Sequence, residues 1–418
     1  MILEPSLLGL HPSFGFGDRL GLATPGHVAA TRQGRLLPVF AQQSVREMTR
    51  TQRTPGEVLS AAQAGLRACN YAGIWGADAD HLKTQEDVQS LAAAGFTFFT
   101  IDPSAHVRNE ADTLQGDALR DAALQTAADA FDFPGQAEDL YLGKSFDVGE
   151  EASLEFSDRG ALLRAVVKYG AAIAYAAKMS GWITAARGDR GADVEVSVDE
   201  TDSPTSPLEH LFIGLELKRR GVRATSVAPR FIGEFEKGID YKGDLERFEA
   251  ELRVHASIAR FCGPYKISVH SGSDKFSIYP AVGRVCGDLL HVKTAGTSYL
   301  EALRVVARTD AALFGEIVAY ARSRFDTDKA TYHISAALGD AAAPHGLSAA
   351  EAENVYLEGV AGRQILHVTF GSVLTLGRSA QGRLFKEAIL ENLQTHADLH
   401  SEVLEKHLGK HIRLLSEG

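Results

Sequence analysis

Three stretches of the chain end an apolar run in side chains able to do acid/base or metal chemistry. VEVSVDETD (194–202) closes on three acids in four residues: Asp199, Glu200 and Asp202. KISVHSGSDK (266–275) closes on His270, followed by a small Ser/Gly turn with Ser271, then Asp274 and Lys275. HVKTAGTS (291–298) closes on Lys293 and a second small polar turn. Carboxylates this dense would supply oxygen ligands for a divalent cation, or a general acid/base pair. Imidazole is a common transition-metal ligand, and a turn of Ser and Gly offers N–H groups to an anion. The Thr294–Ser298 turn, with Thr297 and Ser298 at the start of a helix, has the composition of an anion cradle. GADADH (76–81) adds Asp78 and His81, and TIDPS (100–104) adds Asp102. Each has a plainer reading: a solvated acidic loop at 199–202, a hydrogen-bonded core histidine at 270, an ordinary N-cap at Thr297 or Ser298. Ser206, with Pro207 and Glu209 behind it, is a helix cap and needs no other role.

The elements that must hold these groups alternate between short β-rich runs and helical stretches. The runs are Arg19–Thr24, Leu37–Gln42, Tyr71–Ala77, Phe96–Asp102, Val194–Asp199, Ala224–Pro229, Tyr265–His270 and Leu289–Thr294. Eight such units predict an α/β fold, a (β/α)8 TIM-type barrel whose site lies at the carboxyl ends of the strands. An open doubly wound sheet is the alternative. Period-two alternation turns the valines of 194–198 outward and Glu195, Ser197 and Asp199 inward. The same rule turns Lys266, Ser268, His270, His291 and Lys293 inward. Inward charges must be paired, so Lys266 or Lys293 should meet Glu195 or Asp199, as a salt-bridge layer beneath the site.

About ninety residues separate the fourth run from the fifth, longer than one crossover needs, which predicts a helical insertion around 105–160. The barrel should occupy 1–305, with a mixed, then helical, extension over 306–418 packed on it. Further strand-like runs occur at Ala330–Ser335, which turns His333 inward, and at Gln364–Phe370. The last 35 residues or so read as one amphipathic helix from about Gly382, with His396, His400, His407 and His411 on a solvated face.

Composition narrows the function. The 418 residues carry a formal net charge of -11, with 45% hydrophobic and 23% charged residues, which is ordinary for a globular protein. An acidic chain with no Lys/Arg run has no electrostatic reason to bind nucleic acid. Three scattered cysteines, Cys69, Cys262 and Cys286, suit a reducing compartment. With no leader-like N-terminus and no apolar span near 20 residues, the expectation is a cytoplasmic protein without a membrane partner. Gly15–Phe16–Gly17 lacks the third glycine and the position of a dinucleotide fingerprint.

Four segments carry a resemblance to a known family: VEVSVDETDSPTSPLEHLFIGLELKRRG (194–221), APRFIGEFEKGIDYKGD (228–244), YKISVHSGSDKFSIYP (265–280) and HVKTAGTSYLEALR (291–304). In these the chain resembles the tagaturonate epimerase family. The resemblance implies a metal-dependent, barrel-like isomerase of hexuronate catabolism interconverting D-tagaturonate and D-fructuronate. These ketoses differ at a carbon β to the ketone, which enolisation cannot invert. Retro-aldol cleavage and re-addition can, and the absence of a dinucleotide motif disfavours transient oxidation. For that reaction, strand geometry assigns His270, Glu200 and His333 as ligands of a divalent ion (Zn, Mn, Ni or Co), with Asp199 as a further candidate ligand. Asp102, Asp274 and Asp199 are the acid/base candidates. Lys293, Thr294, Thr297 and Ser298 would hold the substrate carboxylate, with Ser271, Asp78 and His81 as further substrate contacts. The partner is then a small uronate or ketose, and a homo-oligomer is compatible with the sequence. Two alternatives stay open: another ketose or sugar-acid epimerase, isomerase or aldolase, such as a ketohexose 4-epimerase, and a non-catalytic sugar-acid-binding protein.

Overall fold

Eight parallel strands close into a barrel. The computed structural model describes residues 4–130, 136–149 and 153–417. In chain order the strands are β1 (Ser13–Gly17), β2 (Leu37–Ser44), β3 (Gly76–Leu82), β4 (Phe98–Ile101), a small hairpin β5 (Ser145–Asp147) and β6 (Ser153–Glu155), then β7 (Asp193–Val198), β8 (Ser226–Pro229), β9 (Lys266–Val269) and β10 (Leu290–Thr294). The hairpin stands apart, and the other eight pair in the cyclic order β1-β2-β3-β4-β7-β8-β9-β10. Ser13 opposite His291 and Phe16 opposite Thr294 complete the ring. This is the expected (β/α)8 barrel.

Two strands differ from the sequence expectation, for physical reasons. The first strand is SFGFG at 13–17 and not Arg19–Thr24, because two of its three inward positions are glycines, which period-two patterning does not register. A Cβ on Gly15 would lie 2.0 Å from Gln42 Oε1, and one on Gly17 would lie 2.5 Å from the Ala295 carbonyl. The Gly-Phe-Gly is therefore part of a barrel strand. The third strand is GADADHL at 76–82 and not 71–77, since Asp78 and Asp80 point into a polar interior that supports them.

Between β4 and β7 the chain forms helices at Gly116–Ala130 and Gln136–Tyr141, the hairpin, and a 29-residue helix at Arg159–Arg187. Parts of the expected insertion, 131–135 and 150–152, lie outside the described residues. Ser206 caps the helix Pro207–Arg219 through a reciprocal bond pair with Glu209.

Neither strand expected after β10 exists. Residues 330–335 form a short 3-10 turn and coil, and 364–370 falls in the helix Val360–Val368 and the start of Phe370–Thr375. Helices from Thr297 onward share an apolar core of their own, including Leu303, Phe314, Ile365, Phe370 and Ile389. The C-terminal helix is two, Phe385–Thr395 and Ala397–Ser416, broken at His396. Its histidines are not on a solvated face. His400 and His411 are buried, because this helix packs Leu404, Leu408 and Ile412 into the barrel's outer core.

Candidate active site

Barrel interiors are usually filled with branched apolar side chains. This one is stacked with polar layers that rise to the carboxyl ends of the strands. At the bottom, Lys266 Nζ donates to Ser13 Oγ (2.9 Å), and Ser13 Oγ lies 2.8 Å from His291 Nδ1. In the next layer Lys293 Nζ sits 2.8 Å from Asp78, 2.8 Å from Asp80 and 2.9 Å from Glu195. Glu195 also accepts a bond from Ser226 and holds His270 Nε2 at 2.6 Å. The expected buried ion-pair layer is thus present, built on Lys293, while Lys266 bonds to Ser13 and the His11 carbonyl.

Above it opens a cleft of about 500 Å³. One side is a carboxylate–imidazole pole: Asp80, His81, Asp199, Glu200 and His270. The His81 and His270 rings stand edge to face with centroids 5.1 Å apart. Each imidazole is backed by a buried carboxylate. His270 Nε2 is held by Glu195, and His81 Nδ1 lies 3.3 Å from Asp102 Oδ2. Asp102 also accepts from the Ser104 backbone N–H and pairs with Lys83 at 3.1 Å. The other side carries cations: Arg46, Arg230 and Lys237 line the cleft without a carboxylate in salt-bridge range among the described residues. Arg19, also in the lining, is already paired with Glu47 at 2.6 Å.

The electrostatics follow from this packing. Burial disfavours a charged His270, but Asp199 and Glu195 outweigh that and push its pKa up to about 10. His81 is raised too, by Asp80 and Asp102 acting against burial. Burial alone would raise Asp80, yet Lys293, His81 and His270 bring it down to about 2. Asp78 goes up to about 7, driven by burial and by its neighbours Asp80 and Glu195 against Lys293. Asp199 and Asp102 are held well below the ordinary carboxylate range because their imidazole partners overcome the cost of burial. His81 and Ser271 adopt left-handed backbone angles (φ 52 for each), which non-glycine residues accept mainly where the surroundings demand it.

His270, Asp199, Glu200, His81, Ser271, Lys293 and His333 therefore border one cleft. Several expected roles meet a different placement. Asp102 stands behind His81 and does not line the cleft. Asp78 lies within β3, bonded to Thr100 and Lys293. Lys293 reaches the floor, but three carboxylates already hold its ammonium. Thr294 Oγ1 donates to the Gly15 carbonyl, Ser298 Oγ lies 2.8 Å from His27 Nε2, and Thr297 is buried. In the turn they form, the His367 ring packs on Gly296, where a Cβ would sit 2.1 Å from Cε1. Asp274 is buried outside the cleft against Arg363 and His407. His333 is on the exposed rim, paired with Glu234, because the strand that would have aimed it inward is absent. Among the described residues two sets of carboxylate and imidazole atoms converge within 4.8 Å of one another: His81, Asp102 and Glu200 beside the cleft, and Asp274, His407 and His411 outside it; His333 is in neither.

A divalent ion is implied by the resemblance, and the donor set accommodates one. Metal-binding imidazoles commonly give their second nitrogen to a carboxylate, which fixes the ring and raises its basicity. Both His81 and His270 have that arrangement. Moreover, buried His270 Nδ1 makes no well-directed hydrogen bond, with Asp199 Oδ1 at 3.4 Å as its neighbour.

Sequence reasoning missed Asp80, Arg46, Arg230 and Lys237. Asp80 follows from alternation with Asp78 once β3 is placed at 76–82. Arg46 lies in the first turn of the helix Val45–Thr51 directly after β2, and Arg230 and Lys237 lie in the segment after β8, all at the end of the barrel where substrates bind.

Acid/base side chains at the carboxyl ends of a (β/α)8 barrel define a barrel enzyme acting on a small polar substrate. Comparison with known proteins gives the particular family. The sequence model of the tagaturonate epimerase family, UxaE, matches residues 1–415. The tagaturonate/fructuronate epimerase of Thermotoga maritima is 45% identical over 414 residues, which is 99% of this chain and 82% of that one. Crystal structures of the fructuronate–tagaturonate epimerase of Cohnella laeviribosi superpose with TM-scores of 0.90 for the native form and 0.91 for one glycerol complex. Both are 38% identical, covering 99% of this chain and 83% of theirs. The chain belongs to the tagaturonate epimerase family, carbohydrate epimerases of the isomerase class.

Proposed function

We propose that this chain interconverts D-tagaturonate and D-fructuronate. The observation that carries the reading is the two-sided cleft. A carboxylate–imidazole pole suits the ketone and hydroxyls, and a wall of unpaired cations suits a carboxylate at the far end of the same small molecule. A neutral ketohexose would leave those cations unanswered, which favours a sugar acid over the ketohexose 4-epimerase alternative.

Inversion at the carbon β to the ketone proceeds by retro-aldol cleavage. A base takes the proton of the hydroxyl on that carbon, and its oxygen becomes an aldehyde. The electron pair of the broken carbon–carbon bond passes to the α carbon and delocalises onto the ketone oxygen as an enediolate. The aldehyde turns over, the bond re-forms on its other face, and the proton returns to the new alkoxide. Asp80, within β3, and Glu200, in the loop after β7, both border the cleft and would take and return that proton. Asp80, ionised beside Lys293, suits the base. His81, His270 and Asp199 would hold a divalent ion, which when bound supplies Lewis acidity at the ketone oxygen. Glu195 and Asp102 orient the two imidazoles from behind.

Product analysis tests the reading. Purified protein supplied with Mn, Zn, Ni or Co and D-tagaturonate should yield D-fructuronate as the sole new sugar acid by carbon-13 NMR. Accumulation of three-carbon fragments would assign an aldolase instead. No conversion with any of these ions would reject the epimerase.

A further inference from the structure

The segment after β8, APRFIGEFEKGIDYKGD (228–244), sends one ammonium into the cleft, that of Lys237. Its Nζ donates to Ser271 Oγ, the residue after His270. Among the described residues no carboxylate pairs with it. It shares the cleft with Arg46, and burial followed by Arg46 draws its pKa down, against the pull of Asp199, Glu200 and Glu47. Asp199 attracts Lys237 more strongly than Arg46 repels it, but neither Asp199 nor another carboxylate among the described residues comes within salt-bridge range, so both cations are open to an anionic ligand in the cleft.

The backbone around Lys237 is pinned in a way no surface loop needs. Buried Lys275 donates to the carbonyls of Glu236 (2.8 Å), Ile239 (2.5 Å) and Ser273 (3.0 Å). Buried Arg363, from the C-terminal extension, donates to the Gly238 carbonyl at 2.7 Å. The carbonyls on both sides of Lys237 are therefore gripped by the buried side chains of Lys275 and Arg363. Gly238 turns the chain with φ 70 under the His367 ring, where a Cβ would meet Nδ1 at 3.3 Å. The Glu236 carboxylate is held in turn by Gln364, Lys242 and Ser335.

We propose that Lys237, with Arg46, binds the substrate carboxylate, and that Lys275 is a positioning residue, a buried side chain whose hydrogen bonds fix the loop presenting Lys237. The assignment rests on the sugar-acid reading of this cleft. It moves the carboxylate contact away from Lys293 and the 294–298 turn.

The test uses the full chain, with D-gluconate, an aldonate lacking the ketone, as a competitive inhibitor of D-tagaturonate turnover. Losing one charge-assisted contact should weaken binding roughly 10- to 100-fold. Lys237→Met is therefore expected to raise both the KM for tagaturonate and the Ki for gluconate by that factor, with kcat within about threefold. Lys237→Arg should recover part of the affinity. Lys275→Met should raise the same two constants, because its effect passes through Lys237. In the Lys237→Met background, Lys275→Met should add little to either. Gluconate inhibition unchanged in Lys237→Met overturns the assignment, as does a collapse of kcat at constant Ki. If the wild-type chain binds gluconate in a Lys237-dependent way without turning over tagaturonate, the anchor stands and the epimerase reading falls. Calorimetric titration with gluconate supplies that binding measurement without turnover.

Discussion

Asp274→Asn separates chemistry from scaffolding at a residue that sequence reasoning places in the active site. The structure buries the Asp274 carboxylate against Arg363 Nη2 at 2.7 Å and against His407, with the Arg363 and Asp274 side chains only 7% and 5% exposed. Removing one partner of a buried ion pair costs about 3–5 kcal/mol when the other charge is stranded. Here the loss is partial. Arg363 keeps the carbonyls of Gly238 and Leu357, and His407 keeps Glu301 at 3.4 Å. The expected cost is therefore about 2–3 kcal/mol, read as a lower urea midpoint at an unchanged slope. The variant should also lose pH dependence. In the wild type, Glu301 and Asp274 raise the His407 pKa despite burial. A group raised above its unfolded value stabilises fully below that value, about 6.5, and the contribution fades as pH rises through the folded pKa. The wild-type stability should thus decline from pH 6 upward more steeply than that of Asp274→Asn. Turnover of the folded variant should stay within about threefold, whereas loss of a general acid/base would cost about 10²–10⁴. An unchanged urea midpoint with a hundredfold loss of turnover would refute this reasoning and return Asp274 to the chemistry.

Two further outcomes follow from the same structure. His270→Ala should abolish turnover and divalent-ion retention together while the far-ultraviolet dichroism is preserved. Metal content near that of the wild type, with near-normal turnover, would remove His270 from the site. On the acid side, His210 and His255 are buried with Nδ1 atoms 2.9 Å apart, and Tyr265 lies 2.9 Å from His210 Nε2. Burial lowers both, His255 to about 4, so their contribution is present above about pH 6.5 and is lost as pH falls toward 4. Urea midpoints between pH 7 and 4.5 should fall, less steeply in His255→Gln, and equal slopes would exclude this pair as a cause.

Much of the architecture was readable because six of the eight barrel strands have regular patterning. Alternation in 193–198 and 290–294 placed Glu195 and Lys293 inside without any structure. It failed where the pattern is carried by other residues. Glycines at 15 and 17 make room for Gln42 and the Ala295 carbonyl, and no hydrophobic period records a residue chosen for having no side chain. Asp78 and Asp80 fell past the expected end of the third strand at Ala77, because paired interior charge looks like solvated charge until Lys293 is seen between them. The site was legible where a strand end contributes one residue, as at His270 and Asp199. It was not where the contribution depends on tertiary packing. Asp274 faces Arg363, 89 residues away, and the 294–298 turn is filled by His367. The cationic wall was missed because its members lie past the strand ends, Arg46 at the start of a helix and Arg230 and Lys237 in a loop, where side-chain directions follow from tertiary packing such as the hydrogen bonds of Lys275 and not from a strand period.

The central claim is that the cleft epimerises a sugar acid by metal-assisted carbon–carbon cleavage. The most direct measurement is conversion of D-tagaturonate in deuterated water, with and without chelator, followed by NMR. The account predicts D-fructuronate only when metal is present, with hydrogen and not deuterium at the inverted carbon. Undiminished conversion in chelator, or deuterium at that carbon, would contradict it.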